Sequence, residues 1–188
     1  MRMRYQDQRT KPGVPGIPNW AQCFYCSVVM LIDHHLKLAN PDAFYLSYFD
    51  DVETTYGKAG IGEKTVSREH LVGRSGQYWA VHKDGASKYL AEAGLKAIWA
   101  DIPWSEAISK LKDGPLVCGT KIPPSDGHII LLKGVSDAGF IVNDPYGDGR
   151  TRYSNLAASG EGLVYEAKWL QSVASWNGMA RVMWVEKV

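Results

Sequence analysis

Cys23 has the chemistry and the setting of a catalytic nucleophile. It follows a segment rich in proline and glycine and opens an apolar run that continues to about Leu38. Since proline and glycine exclude regular structure before it, the pattern predicts a helix over residues 23–38 with Cys23 in its first turn. Unpaired backbone N–H groups and the positive end of the helix dipole favour a thiolate at such a position. We therefore expect Cys23 to be an activated nucleophile that needs a base.

Among the five histidines, His128 is the best candidate for that base. It follows a glycine and precedes the apolar run 129–132, which puts a polar side chain at the start of a buried strand. A structural histidine bonded to the neighbouring loop would fit the same pattern. His34 and His35 lie about three helical turns beyond Cys23, too far along the axis to reach its sulfur.

Asp144 ends the strand that follows the one begun by His128. A turn at residues 136–139 joins the two strands and predicts a hairpin, which brings the start of the first strand beside the end of the second. A carboxylate there can fix the tautomer of an imidazole and stabilise its cation. An Asx turn before Pro145 is the structural alternative, and the two roles are compatible because the turn would hold the carboxylate still.

The order of the elements predicts the fold class. Helical patterns predict helices at 41–57, 85–93 and 103–111, besides the first helix. Residues 57–77, rich in glycine and charge, are expected to be a long irregular segment. The predicted strands, apart from β character at 3–6, are 95–100, 116–122, 128–135, 140–143, 163–166 and 180–186, with a short helix at 168–173. Helices first and an antiparallel sheet second predict one α+β domain over residues 1–188.

Composition excludes several classes of function. The 21 basic and 20 acidic residues leave a net charge of +1, so we expect neither nucleic acid nor an anionic membrane as a partner. No apolar run reaches the roughly 18 residues of a spanning helix, and the N-terminus lacks the apolar core of a signal peptide, so synthesis in the cytoplasm is expected. Three cysteines argue against a disulfide scaffold.

Together these motifs resemble a known family. Cys23 is followed by serine four residues later and methionine seven later; Gly127-His128 precedes a strand; and Asn-Asp-Pro-Tyr-Gly at 143–147 ends the next one. This ordered set, with Gly-Glu-Gly-Leu-Val-Tyr at 160–165, resembles the C39-like (bacteriocin-processing-type) superfamily of papain-like cysteine peptidases. The similarity is greatest to the small C39-like domains of bacteriophage and bacterial proteins.

The resemblance implies both a fold and an activity. The fold is papain-like, with N-terminal helices packed on a C-terminal antiparallel β-sheet. The activity is hydrolysis of peptide bonds by Cys23, His128 and Asp144, without cofactor or metal. A phage-encoded monomer acting on cell-wall peptides, as an endolysin does, or on a virion or host protein is the implied setting, in the host cytoplasm or the virion.

One position departs from the pattern of this family. Its members usually carry a glutamine about six residues before the cysteine, and the side-chain amide of that glutamine donates to the oxyanion; Ile17 stands at that spacing here. Gln8 resembles the glutamine that phage members carry further upstream, and Gln6 is a nearly equal choice. The backbone N–H of Cys23 is expected to supply the other donor.

Two other classes of function compete with the peptidase. Cys23-Phe-Tyr-Cys26 is a C-x-x-C motif at a helix start, which also suits a thioredoxin-like oxidoreductase, although that fold needs a strand immediately before the motif. A catalytically silent C39-like binding module is the second competitor, and the presence of cysteine, histidine and aspartate together argues against it. A structural zinc site is disfavoured because Cys118 has no second cysteine or histidine at ligand spacing.

Overall fold

The computed structural model describes residues 3–10, 22–45, 48, 75–124 and 127–188, with the backbone alone for 75–82. Within these ranges the α-helices are α1 (Cys23–Leu36), α2 (Ser75–Ala91), α3 (Trp104–Lys110) and α4 (Ala167–Val173). Residues 41–45 are also helical, and short 3-10 helices span Gln8–Thr10 and Gly149–Thr151. The strands are β1 (Leu95–Pro103), β2 (Leu116–Thr120), β3 (His128–Ser136), β4 (Gly139–Asn143), β5 (Leu163–Tyr165), β6 (Ser175–Trp176) and β7 (Met179–Lys187).

All strands described belong to one antiparallel sheet. Its order is β1-β7-β2-β3-β4-β5, and β6 pairs with β7 beside this path. The helices α1 and α2 pack on this sheet, mainly against β3 and β1. The predicted papain-like α+β fold is therefore confirmed. None of the helices described is both long enough and apolar enough to span a lipid bilayer.

The sheet separates two apolar clusters because successive side chains of a strand point to opposite faces. Helix α1 is buried on every side from Phe24 to Asp33, which explains why its sequence is apolar all round. On the first face, its side chains pack with Val117, Leu131 and Met183. On the second face, alternate residues of the same strands pack with side chains of α3 and α4, among them Cys118, Ile130, Val182, Ala107 and Leu170.

The β3–β4 hairpin brings the ends of its two strands together. Ser136 pairs with Gly139 at the turn, and Leu131 pairs with Asn143 near the open end. Gly139 has a φ of +137°, and a side chain there would overlap the carbonyl oxygen of Tyr165, so glycine is required at this turn.

Several predicted boundaries were wrong. Helix α2 begins at Ser75 instead of Gly85, because burial of Ala86 and Leu90 stabilises a helix that its two glycines disfavour. Residues 3–6 form no strand. Helix α1 ends at Leu36, where Lys37 takes a left-handed cap with a φ of 54°. The predicted helix beyond residue 48 and the irregular segment as far as residue 74 lie outside the described residues.

Candidate active site

Cys23 is the first residue of α1 and is partly exposed to solvent. The first bond of the helix runs from the Cys26 N–H to the carbonyl of Gln22, over 3.1 Å. All three cysteines are free, and Cys26 and Cys118 are buried. Burial raises the pKa of the Cys118 thiol to about 12. Cys23 is thus the cysteine that a substrate can reach.

His128 begins β3 and is 5% exposed. Its Nε2 lies 2.7 Å from Oδ1 of Asp144, and the Cys23 sulfur interacts electrostatically with its side chain. Since Nε2 is bonded to Asp144, Nδ1 is the ring nitrogen left to exchange a proton with the sulfur. The three sequence-predicted residues therefore lie together in one interacting array.

The electrostatics of this array favour an imidazolium. Burial opposes the positive charge, but the Asp144 carboxylate and the Cys23 sulfur outweigh it and raise the pKa of His128 from 6.5 to about 10. At neutral pH the histidine is consequently charged. A charged imidazole next to a sulfur is the arrangement that stabilises a thiolate.

Asp144 is fully buried, yet each of its carboxylate oxygens has donors. Oδ1 accepts from His128 Nε2 and from the backbone N–H of Tyr146, the latter over 3.0 Å. Oδ2 accepts from the hydroxyl groups of Tyr165 at 2.8 Å and Tyr153 at 3.1 Å. These four bonds satisfy a buried charge that would otherwise be costly. The Tyr146 bond is the Asx turn that the sequence suggested as an alternative, so the carboxylate makes both sets of contacts.

The backbone of Asp144 is held as firmly as its side chain. Its N–H donates to the carbonyl of Gly160 at 2.9 Å, and its own carbonyl accepts from the Tyr5 hydroxyl at 2.6 Å. The segments around Asp144 and Gly160 approach so closely that a Cβ on Gly160 would overlap the Asp144 carbonyl oxygen and lie 2.7 Å from the Tyr5 hydroxyl oxygen. Only glycine fits at this crossing.

The two glutamines suggested as oxyanion donors occupy different surroundings. The Gln8 N–H donates to the carbonyl of Pro145 at 3.0 Å, which puts this fully buried residue beside the Asp144 turn. Gln6 lines a groove of about 410 Å³ together with residues such as Pro41 and Glu161. The structure therefore brings Gln8, rather than Gln6, next to the residue that follows Asp144.

Other residues of the motifs tie the helix to the sheet. The Ser27 hydroxyl donates to the carbonyl of Ile129 at 3.3 Å, which joins α1 to β3. Asn143 donates its amide to the Met30 sulfur at 3.4 Å and accepts from the Gly162 N–H at 3.0 Å. The Ser27 and Met30 contacts fix Cys23 relative to the hairpin, since both residues lie on the same helix as Cys23 and their partners lie on β3 and β4.

The sequence pattern predicts no role for Tyr153 or Tyr165. Tyr165 ends the motif at 160–165, but nothing in the pattern indicates that its hydroxyl reaches Asp144. Tyr153 lies in the loop between β4 and β5, with a φ of 58°. Its ring contacts the His128 ring edge-on, with centroids 5.4 Å apart. The folded loop brings Tyr153 to the carboxylate, and the pairing of β5 with β4 brings Tyr165 there.

The remaining histidines in the described ranges lie away from the array. His34 and His35 are in the last turn of α1, where burial and nearby cations lower the pKa of His35 to about 4. The backbone of residue 82 lies in α2. Within the parts of the chain that the structure describes, no group of three or more histidine, cysteine or acidic residues could hold a metal ion.

Comparison with known proteins shows the family to which this chain belongs. A helix-borne cysteine packed against an antiparallel sheet with histidine and aspartate on one hairpin defines a papain-like α+β protein. The model of the Peptidase_C39 like family matches residues 2–176, and the chain belongs to this family. A crystal structure of the Pseudomonas avirulence protein AvrPphB aligns over 88% of this chain and 91% of its own, with 10% identity and a TM-score of 0.35. No curated protein matches the sequence.

Proposed function

We propose that this protein is a cysteine peptidase in which Cys23 is the nucleophile, His128 the general base and acid, and Asp144 the residue that orients the base. The observation that carries the proposal is the array from Cys23 through His128 to the buried carboxylate. Membership of a peptidase family supports the same reaction class. The cationic His128 supports a thiolate–imidazolium pair in the resting protein.

In the first half of the reaction, the Cys23 sulfur attacks the carbonyl carbon of the scissile peptide bond. The negative charge that develops on the carbonyl oxygen is stabilised by the Cys23 N–H and by a side-chain amide, for which Gln8 and Gln6 are the candidates. His128 then gives its Nδ1 proton to the leaving nitrogen. The amine departs and a thioester remains on Cys23.

In the second half, water replaces the amine. His128, now neutral, takes a proton from the water through Nδ1 while the water oxygen attacks the thioester carbon. The new acid leaves, and the proton on His128 again pairs with the Cys23 thiolate. Asp144 remains ionised throughout and stabilises each imidazolium that forms.

The proposed substrates are peptides. The resemblance to small phage domains supports cell-wall peptides, or a virion or host protein, as targets of a monomeric protein acting in the host cytoplasm or from the virion. The competing oxidoreductase would need Cys26 to become accessible, but the thiol of this α1 residue is fully buried in the first apolar cluster. A silent binding module has no need for a cationic histidine bonded to a buried carboxylate.

A digestion experiment tests the activity. Purified protein is incubated with purified peptidoglycan and, separately, with a peptide library, and products are identified by mass spectrometry. We expect cleavage by the native protein and none by Cys23→Ala or His128→Ala, since neither step has a substitute group. Cys118→Ala is the matched control, because it removes a buried thiol on β2, and it should cleave normally. Full activity in Cys23→Ala would refute the proposal.

A further inference from the structure

Two tyrosine hydroxyls that the proposed mechanism leaves unused meet on one oxygen of Asp144. Tyr165 and Tyr153 both donate to Oδ2, over 2.8 and 3.1 Å. Among the residues that the structure describes, the donors to the other oxygen, Oδ1, are N–H groups of His128 and of the Tyr146 backbone. The two oxygens thus have separate sets of donors. Rotation of the carboxylate would break bonds on both sides.

A backbone donor fixes the direction of the Tyr165 hydroxyl. The Gly149 N–H donates to the Tyr165 oxygen at 2.8 Å, so the hydroxyl proton of Tyr165 is directed to Asp144. Burial, followed by the charge of Asp144, raises the pKa of both tyrosines, so each stays protonated and remains a donor.

The loop carries backbone strain at the position of one tyrosine. Arg152 and Tyr153 both have left-handed backbone, with φ values of 54° and 58°. Such a conformation is unfavourable for residues other than glycine, and it persists where the surrounding structure requires it. Here it directs the Tyr153 side chain inward, where its ring contacts the edges of His128 and Tyr146.

We propose that Tyr153 and Tyr165 are positioning residues: by holding Oδ2 of Asp144 they keep Oδ1 on His128 Nε2 and so select the neutral tautomer protonated at Nε2. This inference rests on the proposed function, in which neutral His128 must use Nδ1 to accept a proton. A carboxylate free to rotate would allow the proton to sit on Nδ1 and would remove the base from the reaction.

Kinetics of hydroxyl deletion give the first test. Tyr153→Phe and Tyr165→Phe each remove one oxygen and keep the ring, and each should lower kcat by about tenfold with little change in KM. The double variant should lose more than the product of the two single effects, because each single variant keeps one hydroxyl that still restrains the shared oxygen in part. Tyr89→Phe, on the α2 side of the first apolar cluster, is the matched control and should keep native kcat.

Nuclear magnetic resonance gives a second test that does not depend on turnover. Proteins with ¹⁵N-labelled histidine are prepared in the Cys23→Ala background, and the spectra are recorded above the pH at which His128 loses its proton. We expect neutral His128 to be protonated at Nε2 in Cys23→Ala. Adding Tyr153→Phe and Tyr165→Phe should produce a measurable share of the Nδ1–H form.

The two readouts separate the failure of this inference from the failure of the proposed function. An unchanged tautomer in the triple variant overturns the positioning role, even where kcat falls through loss of stability. A tautomer shift supports it even if no peptide is cleaved, in which case the peptidase proposal alone fails. Should one variant not fold, as judged by thermal unfolding, the other single variant in the same background decides.

Discussion

At the scale of single residues, the site depends on burial of a charged pair. His128 and Asp144 are both buried, and their 2.7 Å bond exists because the carboxylate is fully supplied with donors. A buried ion pair is stable only when its partners are well aligned. Removing one partner destabilises the protein because it leaves the other charge buried and uncompensated. Burial alone would lower the pKa of His128, but Asp144 and Cys23 together raise it.

This shift predicts how His128 contributes to stability as pH changes. Its pKa is about 10 in the folded chain against an ordinary 6.5, so the stabilisation is fully present below pH 6.5 and is lost as pH rises through 10. We expect the difference in unfolding free energy between native protein and His128→Gln to shrink from about pH 6 to about pH 10.5, by a few kcal/mol at most. Urea titrations at both values measure it.

The control for this measurement is His34→Gln. Burial lowers the pKa of His34, so its contribution should change little over the same interval. A His128→Gln difference that stays constant, or that grows with pH, would contradict the assigned charge state.

At the scale of elements, the β3–β4 hairpin and the loop after it form the carboxylate site. The loop returns at Gly160 and accepts the Asp144 N–H, while the N-terminal segment reaches the same point through Tyr5 and Gln8. Arg9 joins these two segments, since its guanidinium donates to the carbonyls of Leu156 and Ala158. Three stretches that are distant in sequence therefore converge on one residue.

The crossing at Gly160 predicts a severe effect of the smallest substitution. In Gly160→Ala the added Cβ would overlap the Asp144 carbonyl oxygen, so the strand end must move. We expect a loss of about 3 kcal/mol in unfolding free energy and about 10² in kcat/KM, because the orientation of His128 is disturbed. Gly134→Ala, whose Cβ would meet nothing within 4 Å, is the control and should change stability by less than about 1 kcal/mol. Equal stability of the two variants would contradict this account.

The elements also show how far the sequence alone leads. Strong local signals sufficed for α1, where a proline-rich lead-in ends and an apolar run begins, and for the β3–β4 hairpin, where a glycine turn separates two apolar runs. They failed for the start of α2, because packing of its buried residues on β1 offsets the glycines. They also failed for the two tyrosine donors, because Tyr153 is placed by a loop without periodicity and Tyr165 by the pairing of β5 with β4. A fold class follows from local patterns, whereas contacts across loops follow from tertiary packing.

At the scale of the whole molecule, the candidate site lies where two layers meet. Cys23 belongs to the helical layer, while His128 and Asp144 belong to the sheet, so the array forms only when α1 docks on β2 and β3. Completely buried side chains of the first apolar cluster, such as Val28, Leu31 and Leu131, pack together and hold α1 on the sheet. Each fully buried side chain of this kind contributes about 1.5–3 kcal/mol. The core therefore aligns the nucleophile with its base.

The central claim is that peptide bonds are broken through a covalent intermediate on Cys23. It is tested most directly by mixing the protein with a peptide that it cleaves, quenching the reaction in acid within the first turnover, and mapping the adduct by mass spectrometry. We expect the N-terminal fragment of the peptide to be attached to Cys23 as a thioester, and no adduct in His128→Ala. Product release without any adduct on Cys23, together with undiminished turnover in Cys23→Ala, would contradict it.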